Sequence, residues 1–337
     1  MARMVLVIAA LLSLIVTALS GFFILPWLKR LHYGQTIKEV GPTWHNKKQG
    51  TPMMGGLMFI LGSVTAIAVA FGTLAVTQQD LFTGLQAQQC AVLFISLLAT
   101  AGFSFVGFVD DYLKVVHKQN LGLSARYKIV MQVVVTTAYL AALQLNGTLS
   151  TVVSLPVLGR FDFGIAFDPL AYLVIIGFVN AVNLTDGLDG LCSSVTFVAM
   201  LGYMTIATLL GYYMMGIFGA AMAGGCAGFL FWNFYPAKVF MGDTGSMFLG
   251  GAVVTAAFGI GRPELLFLLG IIYLIEAGSV MLQVSYFKLT HGKRIFKMSP
   301  IHHHFELCGW SEVRIDGTFA FITLVGVLLG FVYVYLN

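Results

Sequence analysis

The sequence predicts an all-α polytopic membrane protein of about ten transmembrane helices, with both termini on the outer, periplasmic or extracellular face. Three observations predict it. The 337 residues are 58% hydrophobic and only 9% charged, with a mean hydropathy of +0.90, far from the range of soluble domains. Apolar runs long enough to cross a bilayer recur along the whole chain. The basic residues fall almost entirely in alternate connections between those runs.

A hydrocarbon core takes roughly 20 mostly apolar residues per helix. On that criterion the spans are expected at 4–25, 53–77, 90–109, 127–145, 169–183, 190–210, 213–232, 246–261, 264–287 and 317–336. The first, Val5 to Leu25, resembles a signal sequence. It runs straight into Lys29 and Arg30 without a small-residue cleavage pattern, so it reads as a span. Between the fourth and fifth spans, Gly147 to Phe167 is too polar and turn-rich to cross. It alternates around Leu158-Gly159-Arg160, which predicts a small outer β-hairpin. Cys90, Cys192, Cys226 and Cys308 are widely spaced in or beside apolar stretches, a pattern of small hydrophobes that implies neither disulfides nor zinc. No repeat or linker divides the chain, so residues 1–337 are expected to form one integral-membrane domain.

Lys and Arg tend to stay in cytoplasmic loops. With the N-terminus outside, all but Arg3, Arg160 and Arg262 of the 18 Lys and Arg lie inside. The opposite orientation inverts that ratio.

Charge is costly in a membrane and usually functional, and five polar clusters stand out. Asp110 and Asp111 close the third span in Phe108-Val109-Asp110-Asp111-Tyr112-Leu113-Lys114. Adjacent carboxylates suit a hard cation or a proton transfer, although a solvated helix end would explain an isolated pair. Asn180 to Gly190 joins spans five and six with Asn183, Asp186 and Asp189 among glycines, more polar groups than a turn requires. Asn233 to Ser246 places Asp243 between two glycines before a helix start, where phosphate is also attracted, while an N-cap is the plainer role. Ser299-Pro300-Ile301-His302-His303-His304-Phe305-Glu306 lies in the long loop before the last span. Three neighbouring histidines cannot easily face one ion and suit a sugar or phosphate better. The fifth cluster is basic: Lys47 and Lys48 before Gly50 to Gly56, with Arg126 and Lys128 at the fourth span. Within the ninth span, Glu276 and Gln283 share a face, and Gln283 is expected to reach the site.

All five clusters emerge on one side. Asp, Asn and Lys with glycine turns, and no Gly-x-x-x-x-Gly-Lys-Ser/Thr loop, suggest Mg²⁺-assisted phosphoryl transfer without ATP. A bilayer location implies that one substrate is a lipid phosphate. A secondary transporter is the rival from another class. It predicts reactive groups near the midplane.

These motifs resemble the polyprenyl-phosphate N-acetylhexosamine-1-phosphate transferases across essentially the whole chain. The Gly50–Gly56 and Ser299–Glu306 stretches are similar to the bacterial MraY branch, the phospho-N-acetylmuramoyl-pentapeptide transferases. The resemblance implies transfer of phospho-N-acetylmuramoyl-pentapeptide from UDP-N-acetylmuramoyl-pentapeptide to undecaprenyl phosphate, giving lipid I and UMP in the bacterial cytoplasmic membrane. A sister transferase of GlcNAc-1-phosphate is the nearer rival, disfavoured by the triple histidine. The resemblance further implies Mg²⁺, a homodimer, a bent ninth helix, inhibition by nucleoside antibiotics, and no nucleic-acid partner. It makes Asp110, Asp111 and Asp243 catalytic, with Asp243 the leading metal ligand beside Asp111 and Asn183. Asn183, Asp186, Asp189, Asn233, Phe240, Gln283, His302, His303 and His304 would surround the nucleotide and sugar, and Lys48, Lys114 and Lys128 would face phosphates. Met53 stands where the motif usually has Thr.

Overall fold

A computed structural model describes residues 2–30, 48, 50–78, 81–116, 122–155 and 159–336. The chain is a helical bundle with one small antiparallel sheet. Its helices are α1 (Ala2–Arg30), α2 (Gly56–Thr77), α3 (Gly84–Val116), α4 (Ala125–Leu145), α5 (Phe167–Thr185), α6 (Leu191–Leu209), α7 (Tyr213–Asn233), α8 (Gly242–Gly259), α9 (Leu265–Leu269), α10 (Ile271–Leu289), α11 (Ile301–Glu306) and α12 (Glu312–Leu336). Between α4 and α5, strands β1 (Val152–Leu155) and β2 (Gly159–Asp162) pair antiparallel, with Ser154 opposite Arg160. That is the expected hairpin; residues 156–158 at its tip lie outside the described set, as does Lys47.

Among the described residues, eight helices are long and apolar enough to cross a membrane: α1 to α7 and α12. The two remaining expected spans are helical but take other forms. Helix α8 opens on Gly242, Asp243 and Thr244, and all its residues but Asp243 are buried. The segment expected at 264–287 is interrupted at Gly270, between α9 and α10, where any Cβ would overlap the Leu266 carbonyl and the Phe178 ring.

Helices α7 and α8 form the centre. Both are rich in Gly and Ala, which lets neighbouring backbones approach where no hydrophobic drive separates protein from lipid. Helix α1 runs parallel to α7, with the Ala10 and Leu14 carbonyls against Gly224 and Gly228, and Trp232 Nε1 donating to the Ala18 carbonyl at 2.9 Å. Helix α3 runs antiparallel to α8: Gly107 meets Asp243, Gly251 meets Thr100, and Gly259 meets Ser96. Thr100 and Thr255 hydroxyls bond across that seam at 3.1 Å.

The expected third span ended at residue 109, yet α3 continues to Val116. Hydropathy reports only the lipid-facing part of a helix; the last two turns are polar because they line the site. The His302–His304 stretch, expected in a loop, is the helix α11, started by Pro300 as N-cap.

Candidate functional site

The site begins with the approach of α3 to α8. Gly107 lies so close to the Asp243 carbonyl that any Cβ there would overlap it, and Gly242 has φ +72°. Asp111 then reaches the amino end of α8. Its Oδ2 accepts the Thr244 N–H at 2.8 Å and the Thr244 hydroxyl at 2.7 Å, while Oδ1 accepts the Asp243 N–H at 3.2 Å. A carboxylate from a different helix thereby caps α8, satisfying donors that a helix start leaves open.

Asp243 itself carries the convergence. Lys114 and Lys128 donate to its Oδ2 at 2.9 and 3.0 Å, and Asn183 Nδ2 donates to its Oδ1 at 2.9 Å. Asn183 also donates to Ser246 Oγ at 2.7 Å. Lys114, one turn beyond Asp110 on α3, pairs with that carboxylate too, and the Leu123 N–H donates to Asp110 Oδ1 at 2.9 Å. Asp110 and Asp111 are almost fully buried and Asp243 is half-buried.

Asp110, Asp111 and Asp243 each offer an oxygen within 4.8 Å of the other two. Such a set of carboxylate oxygens fits a hard divalent cation. The Lys114 ammonium already stands among all three, a positive charge in the position a cation would neutralise. Asn183 adjoins this group, its amide nitrogen donating to Asp243 Oδ1 at 2.9 Å.

A second polar group adjoins the first. Lys48 donates to Asp189 Oδ1 at 2.7 Å and to Glu312 Oε2 at 2.6 Å, and Asp189 Oδ2 accepts the Ala237 N–H at 2.8 Å. Burial lowers the Lys48 pKa, but its bonds to Asp189 and Glu312 outweigh that and hold it above the ordinary lysine value. Asp186, which follows α5, is pushed well above the usual carboxylate range by burial and by Asp243, Asp111 and Asp189 nearby. The Phe240 N–H donates to the Pro52 carbonyl at 2.9 Å and its own carbonyl accepts the Gly55 N–H at 2.8 Å, which ties the Gly50–Gly56 stretch to the α7–α8 connection.

The rings of His302 and His303 meet edge to face with centroids 4.2 Å apart, yet the three histidines find different polar partners. His302 is fully buried; its Nδ1 meets Glu276 Oε2 at 2.9 Å, and its Nε2 packs against Gly187 in the α5–α6 connection. His303 Nδ1 meets Glu306 Oε2 at 2.6 Å, and His304 Nδ1 accepts the Lys297 N–H at 3.1 Å. Two expected site residues make structural bonds. Gln283 holds the loop before α11 through the Ile295 N–H, the Phe296 N–H and the Phe296 carbonyl. Asn233, 1% exposed, donates to the Val239 carbonyl and accepts the Ser193 hydroxyl. All five clusters nonetheless meet at one end of the bundle.

Residues 93–260 match the model of glycosyl transferase family 4. A phospho-N-acetylmuramoyl-pentapeptide-transferase of Halalkalibacterium halodurans is 43% identical over 100% of this chain and 99% of its own length. The chain belongs to the phospho-N-acetylmuramoyl-pentapeptide-transferase family. Relatives of the same name in Heliobacterium modesticaldum and Clostridium perfringens are 45% and 43% identical, covering 93% and 96% of this chain. With these relatives, the apolar helices make the chain a multi-pass bacterial membrane protein.

For this member of the phospho-N-acetylmuramoyl-pentapeptide-transferase family, sequence reasoning overlooked Glu312, the second partner of Lys48. It also overlooked Asp316, which is buried against Gly190 beside the same group. The signal was present: both are acidic residues one turn apart, with Arg314 between them, at the start of a long apolar span. Glu276, on the same face of the ninth span as Gln283, is the partner of His302 Nδ1.

Proposed function

We propose that the composite site transfers phospho-N-acetylmuramoyl-pentapeptide from UDP-N-acetylmuramoyl-pentapeptide to undecaprenyl phosphate, forming lipid I and UMP for peptidoglycan synthesis. The observation that carries the chemistry is the meeting of Asp110, Asp111 and Asp243 with Lys114 and Lys128. Family membership supplies the substrates.

An oxygen of the lipid phosphate attacks the β-phosphorus of the nucleotide, and the bond from that phosphorus to the bridging oxygen breaks, so UMP leaves with the electron pair. The lipid phosphate is already largely ionised near neutral pH, because a phosphate monoester's second pKa is about 6. It needs positioning more than a strong base. Asp110 orients or deprotonates it. Lys114 and Lys128 hold the diphosphate oxygens in a water-poor setting where their charge counts for more. Asp110, Asp111 and Asp243 would hold Mg²⁺, which when bound neutralises charge on the diphosphate. Lys48 is the third lysine facing phosphates; Asn183, Asp186, Asp189, Phe240, His303 and His304 face the nucleotide and sugar, while Asn233, Gln283 and His302 shape the walls.

The chain works as one integral-membrane domain with ten spans and outer termini, in the bacterial cytoplasmic membrane, with the site toward the cytoplasm. The partition of Lys and Arg supports that sidedness. It acts as a homodimer and is inhibited by nucleoside antibiotics that compete for the nucleotide pocket.

The experiment is UMP release by the purified chain in detergent with undecaprenyl phosphate, offering UDP-N-acetylmuramoyl-pentapeptide or UDP-GlcNAc, with and without Mg²⁺. Release only from the pentapeptide donor, and only with Mg²⁺, is expected. Equal release from both donors would overturn the substrate assignment.

A further inference from the structure

At the end of the bundle opposite the carboxylates, a cavity of about 370 Å³ opens between the β-hairpin and the turn after α8, lined by Ser150, Val152, Ser154, Arg160, Gly261 and Arg262. Each wall is built by local rules. Side chains alternate along a strand, so Val152 and Ser154 share a face, and the pairing of Ser154 with Arg160 brings that arginine to the same face. On the other wall α8 stops with Gly261 at φ +66°. The Gly261 N–H donates to the Phe258 carbonyl and the Arg262 N–H to the Ala257 carbonyl, a Schellman stop that sets Arg262 just past the helix end.

Two guanidiniums from distant parts of the chain thus share one polar cavity. Arg262 pairs with Glu264 at 3.3 Å, whereas Arg160 has no ion pair among the described residues. The nearest hairpin carboxylate, Asp162, accepts from the Thr151 hydroxyl at 2.6 Å and the Gly164 N–H at 3.0 Å. Arg160 thus lines the cavity with its guanidinium uncommitted to any carboxylate among the described residues. Beside it, Phe161 and Ile165 are exposed apolar residues, 45% and 97% accessible, as suits a surface resting at the edge of a bilayer.

We propose that this cavity binds a phosphate group, presented by the headgroup of an anionic phospholipid. Planar guanidiniums match phosphate oxygens in paired hydrogen bonds, and the Ser154 hydroxyl opposite Arg160 adds a donor. Inorganic phosphate carries the same chemistry without the acyl chains, and the test separates the two sources.

The full chain, delipidated in detergent, is titrated with phosphatidylglycerol, phosphatidylcholine or inorganic phosphate and followed by native mass spectrometry. Phosphatidylglycerol is expected to be retained over phosphatidylcholine. Arg160→Gln and Arg262→Gln should each weaken it about fivefold, the scale of a partly exposed ion pair. Arg262→Lys should recover part of the loss, and UMP release in detergent should not change. Arg160→Gln removes no ion pair among the described residues, and an unchanged melting temperature will show that the chain still folds. Equal retention of the two lipids, or indifference to Arg160→Gln, would overturn the proposal. Displacement of phosphatidylglycerol by an equal concentration of inorganic phosphate would overturn the lipid source and leave the site to free phosphate.

Discussion

Asp111 of α3 caps the helix that carries Asp243: its Oδ2 accepts both the backbone N–H and the hydroxyl of Thr244, at 2.8 and 2.7 Å. One carboxylate thereby fixes the distance between the two aspartate-bearing helices. Asp111→Ala removes the acceptor and leaves buried donors open, a loss of about 1–3 kcal/mol. The melting temperature in detergent should fall. Asp111→Asn keeps one acceptor oxygen and should melt closer to the parent, although UMP release falls in both. If Asp111→Ala melts like the parent, the cap contributes nothing.

Asp243 forms an ion pair with both Lys114 and Lys128. Asp243→Ala should lower UMP release by about a hundredfold or more, the scale of a lost electrostatic group in a reacting site. Asp243→Asn should do the same with less effect on folding. Full UMP release by Asp243→Ala would remove it from the site.

Lys48 joins the segment before α2 to α12 through Glu312. Its folded pKa lies above the ordinary value, so its contribution is fully present below the unfolded pKa of about 10.4 and is lost as pH rises through the folded one. Across pH 6–9 the stability difference between the parent and Lys48→Met should therefore stay flat. Glu312→Gln should raise the KM for the UDP substrate several-fold with little change in kcat. A stability difference that changes by more than about 1 kcal/mol across that range would sink the ion-pair reading.

Gly187 faces the buried His302 Nε2, and a Cβ there would overlap the ring. Gly187→Ala should destabilise by about 1–3 kcal/mol, as overpacking does, and reduce UMP release with it. Gly177→Ala, also in the α5 region but with open space at the Cβ, is the control and should be neutral. Equal behaviour of the two variants would show that the ring does not hold this connection.

Much of the fold was readable because hydropathy and charge respond to the solvent around each segment. Eight spans and the hairpin follow from that response. The reading was weakest where protein replaces lipid. Helix α8 is surrounded by neighbours and begins in the site, so its sequence carries Gly, Asp and Thr where a lipid-facing helix would carry leucine. The same cause hid the last two turns of α3. His302 and Gln283 illustrate a second limit: composition marks a polar residue in a membrane protein but does not reveal its partners, here Glu276 for His302 Nδ1 and a loop backbone for Gln283.

The sequence by itself determined the bilayer setting, the helical class and the set of polar groups concentrated at one end, because these depend on which residues each short segment contains. The tertiary structure decided which of those groups touch. Lys48 finds Asp189 across 141 positions and Glu312 across 264, and Asp111 meets Thr244 across 133. Contacts at such separations arise from how helices pack, through glycines such as Gly107, and no local pattern encodes them.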